Sequence, residues 1–161
     1  MAEQPAITVS PPPEALLRAV NPLLRRLLRT PLAGPARNQL MDLSFTGRKS
    51  GKHYSIPVSA HRIDDAVYAI TSATWKNNFR DGATAEVHLD GTTTAMRGEL
   101  VTDPATVADL AHRCAAGYGV RRAQRMMGLK FRDNRIPTLD EFREAVQREK
   151  IAAVRLTPQG R

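Results

Sequence analysis

The stretch LMDLSFTGRKSGKHYSIPVS, residues 40–59, decides how the rest of the chain is read. Its two arms, LMDLSFT and HYSIPVS, have the β-branched and aromatic character of strands, and the centre joins them as a hairpin. A plain hairpin needs only a turn former such as Asn-Gly. Here the connection carries Arg48, Lys49 and Lys52 around Gly47 and Gly51, with no acid among them. Such a turn repels itself unless something negative sits on it.

Outward from that hairpin the strand signals continue to Val101. HYSIPVSAHR runs on to a turn at Ile63-Asp64-Asp65, followed by AVYAITS. TAEVHLD and TTTAMRGELV are joined by Asp90-Gly91, a strong short-range hairpin signal. TWKNNFRDGA, residues 74–83, is too polar for a strand and long enough for a helical turn. Helices follow: Asp103 caps a segment that opens with Pro104, and Thr138 with Glu141 forms a capping box ahead of EFREAVQREK. IAAVRLTP closes the chain as a last strand returning to the sheet. The order predicts an α+β fold: a mostly antiparallel sheet of about six strands, closed into a small barrel, with helices packed outside.

Residues 1–13 are polar and proline-rich and read as a disordered tail, leaving 14–161 as a single domain. Residues 14–34 form its N-terminal helical segment. Leu16, Leu17, Val20, Leu23, Leu24, Leu27 and Leu28 recur at helical spacing, opposed by Arg18, Arg25, Arg26 and Arg29. A basic amphipathic stripe of this kind suits peripheral contact with an anionic membrane through residues 14–29; for a soluble domain it suits better a cover for one end of the barrel or a dimer seam.

A net charge of +8 and a pI near 10.4 point to an anionic partner without naming it. The lone Cys114 excludes an internal disulfide. The start lacks the basic and apolar runs of a signal peptide and no apolar stretch approaches bilayer length, so a cytoplasmic location, at most at the inner face of the membrane, is expected. Gly119–Arg135 holds six cations against Asp133 alone, but it offers only Phe131 for base stacking and no nucleic-acid reading motif. Nucleic acid is therefore not the expected partner.

The basic turn has chemistry of its own. Glycines permit positive φ, so successive N–H groups can converge into an anion-binding concavity. Arg48 adds a bidentate grip, Lys49 a point charge and Ser50 a hydroxyl. It is not a Walker loop: three residues separate the glycines, His53 follows Lys52, and a strand comes next. His53, His61, His88 and His112 are scattered without paired carboxylates, and no metal ligand set or catalytic dyad stands out.

Two motifs in order, Thr46–Gly51 with Pro57 in the next strand and Trp75 with Asn78, Phe79 and Arg80, resemble those of the deazaflavin-dependent nitroreductase family of actinobacteria. The resemblance spans residues 40–101 and implies a flavin/deazaflavin split barrel that pairs as a homodimer. It implies coenzyme F-420, with flavin mononucleotide (FMN) as runner-up, held by Arg48, Lys49, Ser50 and Gly51 at the phosphate and by Pro57, Trp75 and Asn78 along the groove. The implied activity is hydride transfer from the reduced deazaflavin to an electron-poor acceptor such as a quinone or nitro compound. Tyr54 stands where many members carry arginine, and of the family's late tyrosines only Tyr118 is present. No catalytic residue is assigned, and these two hydroxyls are the ones to test as proton donors to product. The alternative implied by relatives on this fold is a non-catalytic lipid- or flavin-binding protein at the membrane surface.

Overall fold

In the computed structural model, which describes residues 4–10 and 40–159, Leu40 to Thr46 (β2) pairs residue for residue with His53 to Ser59 (β3). The expected helical segment 14–34, and with it the membrane contact through 14–29, lies outside the described residues. The other elements are β1 (Ile7–Val9), β4 (His61–Ile63), β5 (Ala66–Thr71), a 3-10 turn (Thr74–Phe79), β6 (Ala83–Leu89) and β7 (Thr92–Val101). Helices α1 (Pro104–Tyr118) and α2 (Val120–Met127), strand β8 (Leu129–Phe131), helix α3 (Leu139–Glu149) and strand β9 (Ala152–Pro158) follow.

Seven strands form one sheet in the order β3-β2-β6-β7-β9-β5-β4. Its two edges, β3 and β4, are successive pieces of one chain segment, separated only by the buried Ala60. A bent strand that pairs with β2 at one end and with β5 at the other forces the sheet to curl back on itself. The result is the expected α+β fold with a curled antiparallel half-barrel of the split-barrel type. The β6–β7 hairpin turns on Asp90 and Gly91 at φ 55° and 79°, the paired left-handed values of a two-residue turn matching strand twist.

The described residues group into two compact units. The first takes 4–10, Ile70–Lys76 and Val101–Ala153; the second takes 40–69, Asn77–Leu100 and 154–159. The curled sheet belongs to the second, apart from the ends of β5, β7 and β9. One face of its central strands buries Met41, Leu43, Phe45, Ala85 and Val87, with Phe79 and Leu156 fully buried beside them. The opposite face carries a row that the alternation would place in water: Asp42 is 1% exposed, receives a hydrogen bond from the Ser55 hydroxyl at 2.8 Å, and Ser55 in turn meets Ser44 at 2.8 Å. Hydrogen bonding is what makes that burial tolerable.

The first unit is helical. Asp103 accepts the Thr106 N–H, Thr138 and Glu141 close the predicted capping box, and both helices start where their caps require. Val107, Ala108, Ala111 and Ala115 of α1 pack on Phe142, Ala145 and Val146 of α3, small side chains allowing close approach. The basic segment after Gly119 folds as α2, which buries Ala123 and Met126 and leaves Arg121, Arg122 and Arg125 outside.

One expectation is overturned for part of its length. Residues 4–10 are not a disordered tail: β1 pairs antiparallel with β8, Ile7 opposite Phe131, and Ile7 is 1% exposed. Arg148 donates to the Ile7 carbonyl and Arg132 to that of Gln4, each at 2.6 Å. The prolines dominate the local composition and conceal a three-residue β-branched strand whose partner is far away in sequence. Among the described residues no helix is long and apolar enough to cross a membrane.

Candidate functional site

The turn between β2 and β3 is built, not loose. Gly47 N–H donates to the Lys52 carbonyl at 2.7 Å and closes its base; Gly51 N–H donates to the Gly47 carbonyl at 3.0 Å. Gly51 sits at φ 70°, where a side chain is strained. Gly47 is required for space instead, because a Cβ there would lie 2.6 Å from Ser50 Oγ and 2.7 Å from Tyr54 Cε2. The Ser50 hydroxyl accepts the Lys52 N–H at 3.2 Å and lies 3.3 Å from the Tyr54 hydroxyl.

A second segment braces the turn from across the sheet unit. Arg48 N–H donates to Asn78 Oδ1 at 2.7 Å, and Arg48 Nη2 forms an ion pair with Asp81 Oδ2 at 2.6 Å. Asn78 is placed by its neighbour Phe79, whose fully buried ring meets Phe45 edge-on with centroids 5.2 Å apart. Phe45 stacks on Tyr54 at 5.7 Å, so the aromatic group ties the turn to the barrel core.

What is left over defines the chemistry. Within the turn, the amides of Gly47, Arg48, Gly51 and Lys52 are committed to internal partners. Those of Lys49 and Ser50 have no hydrogen-bond partner among the described residues, and Lys49 and Lys52 are exposed with no acid paired to them there. Arg48 is also exposed but shares its charge with Asp81. Among the described residues the turn therefore offers two adjacent N–H donors and two cations with no acid paired to them, with a third cation in reserve. That set suits an oxyanion with several acceptor oxygens. The sequence reading had successive N–H groups converging; the internal bonds that hold the turn commit four of them.

Two comparisons with known proteins return no match: no family model and no curated protein fits the chain. Among solved structures it is similar to the conserved hypothetical protein Rv2991 from Mycobacterium tuberculosis, at 16% identity, over 99% of this chain and 87% of that one, with a TM-score of 0.45. It is also similar to a protein provisionally assigned to 5-nitroimidazole antibiotic resistance, from Bacteroides thetaiotaomicron, at 6% identity, over 99% and 92% of the two chains, with a TM-score of 0.41.

Of the residues singled out from sequence, Arg48, Lys49, Ser50, Gly51 and Asn78 come together at the braced turn. Pro57 lies farther along β3, opposite Asp42, on an edge strand where its missing N–H breaks no second ladder. Trp75 is half-buried and belongs to the helical unit. Tyr54 is 41% exposed and touches the turn through Ser50. Tyr118 differs: burial, reinforced by Cys114 and opposed by Arg122, pushes its phenol up to about 12. The Arg122 guanidinium lies 5.1 Å from its ring centre. Asp81 was missed. Its role arises from a pairing across 33 positions, and the only sequence trace is an acid lying just beyond the Trp75–Arg80 motif.

Proposed function

We propose that this chain is a deazaflavin-dependent oxidoreductase of the nitroreductase or quinone reductase type, with the braced turn as the seat for the coenzyme's phosphodiester. The carrying observation is the pair of uncommitted amides at Lys49 and Ser50, ringed by Lys49, Lys52 and Arg48 and locked in place by Asn78. Coenzyme F-420 fits this donor set because its linker phosphate and glutamyl carboxylates are anionic; FMN, with a terminal phosphate, is the runner-up. When bound, the reduced deazaflavin supplies the hydride for an electron-poor acceptor such as a quinone or nitro compound.

The protein's own part is binding and orientation. Lys49 and Ser50 donate backbone N–H groups, Lys49 and Lys52 supply charge, and Arg48 exchanges Asp81 for phosphate oxygens. Pro57 is assigned to a wall along the coenzyme, and Tyr54 is the hydroxyl assigned to deliver a proton to product. Homodimer formation and a cytoplasmic setting belong to the same proposal.

The test is a fluorescence titration of the full chain with coenzyme F-420 and, in parallel, FMN, repeated on Arg48→Ala/Lys49→Ala. Micromolar binding that the double variant loses is expected. Failure of both cofactors to bind the intact chain removes the reading and leaves the barrel a carrier of some other ligand.

A further inference from the structure

Asp81, the acid that holds Arg48 in the turn, has a second arginine one residue away. Gly82 comes next in the chain, at φ 81°, and a Cβ there would fall inside the Arg97 guanidinium, 2.8 Å from Cζ. Only glycine lets a guanidinium lie this close to the backbone. Arg97 reaches it along a diagonal of the β6–β7 ladder, since its opposite residue is Thr84, two positions beyond Gly82. Consecutive Cα atoms are about 3.8 Å apart, so the guanidinium over Gly82 is also a neighbour of Asp81. Arg48, Asp81 and Arg97 all belong to the unit that holds the sheet.

The two arginines are in different states. Arg48 Nη2 is closed on Asp81 Oδ2 at 2.6 Å. Arg97 engages only through Nε, with Glu99 Oε1 at 3.3 Å, and its Nη groups have no acceptor among the described residues. Arg80, on the other side of Asp81, is turned to Asn77 Oδ1 at 3.3 Å. Glu86, the one acid of β6, forms no ion pair among the described residues. Asp81 therefore lies between a guanidinium that it holds and a guanidinium with an open edge. All three are well exposed, Asp81 at 76%, Arg48 at 47% and Arg97 at 50%. Exposed pairs are worth little singly, so passing one carboxylate from Arg48 to Arg97 is close to break-even, whereas leaving it with neither is not.

We propose that Asp81 is the turn's internal competitor for anions, and that Arg97 is a positioning residue that receives the Asp81 carboxylate when an incoming oxyanion takes Arg48. The ligand's oxygens accept from the Lys49 and Ser50 N–H groups and from the Arg48 guanidinium. Asp81 turns about its side-chain bonds to the Nη edge of Arg97. Asp81 thus sets the affinity of the seat, and Arg97, without touching the ligand, lowers the cost of opening it. The inference rests on the reading of the turn as an oxyanion seat and is indifferent to which coenzyme carries the anion.

The full chain is titrated with inorganic phosphate at ionic strength held constant with sodium chloride, and the Lys49 and Ser50 amide shifts are followed by NMR. Asp81→Asn should tighten binding about two- to fivefold, the worth of an exposed ion pair. Arg97→Gln should weaken it by a similar factor. The two effects should not add: with Asp81→Asn in place there is no carboxylate to receive, and Arg97→Gln then leaves the affinity unchanged. An arginine acting only through its charge would weaken binding equally in both backgrounds, and that result overturns the proposal. So does an Asp81→Asn chain that binds no tighter than wild type. In both cases phosphate still binds and the seat stands. No saturable shift in wild type or in Asp81→Asn removes the seat itself, and this inference with it.

Discussion

Alanine at Gly98 should destabilise the protein and slacken the cationic turn at once. Gly98 is buried in β7, and a Cβ built there lies 2.5 Å and 2.7 Å from two carbons of the Phe79 ring and 3.3 Å from Leu156 Cδ2. Comfortable carbon–carbon contact is about 3.5–4.0 Å, so the ring must retreat by about 1 Å. It has little room, because Phe79 and Leu156 are fully buried and Phe45 packs against the same ring. Overpacking of this kind costs about 1–3 kcal/mol. Against it stands about 0.5–1 kcal/mol from the lower chain entropy of unfolded alanine. A net loss of about 1–2 kcal/mol follows, read as a lower urea midpoint at unchanged slope by circular dichroism. Phe79 adjoins Asn78, so any retreat of the ring also moves the carbonyl that holds Arg48 N–H. Hydrogen exchange at the Arg48 amide should quicken in the variant. An unchanged midpoint together with unchanged Arg48 protection would refute the packing chain from Gly98 through Phe79 to the turn.

Two further predictions follow from buried groups elsewhere. His61 is 1% exposed and burial lowers it to about 4. The unfolded chain therefore takes up a proton below about pH 6.5 that the folded chain resists until about pH 4. Stability is complete above that window and should fall by about 3 kcal/mol across it as the pH drops; urea midpoints of wild type and His61→Phe between pH 7 and pH 4 check this, and parallel pH profiles would count against it. Ile7→Ala removes a fully buried side chain from the β1–β8 ribbon and should cost about 2–4 kcal/mol, far above what any residue of a disordered tail could do. A midpoint within experimental scatter of wild type would return residues 4–10 to the status of a tail.

Local chemistry was legible in the sequence wherever a short-range rule governs the backbone. The Asp90-Gly91 turn, the Asp103 and Thr138 caps, the helical turn after Thr74 and the hairpin around Gly47–Lys52 each depend on residues a few positions apart, and each stands where the residues place it. Alternation and turn spacing were enough for an α+β antiparallel barrel. What the sequence could not show rests on contacts between distant residues. Only the tertiary structure joins Ile7 to Phe131, bends β3 into β4 so that the sheet curls, and buries Asp42 and Ser44 on a face that alternation would give to water. The candidate site divides along the same line. The cations and glycines of the turn were visible as letters. Which amides are committed, and which cation is already paired, was decided by Asn78 and Asp81, 30 and 33 positions away, arriving from the segment that leads into β6. Hydrogen bonds and ion pairs are satisfied by whatever the fold brings within 3 Å or so, and that neighbourhood is a property of the whole chain rather than of any stretch of it.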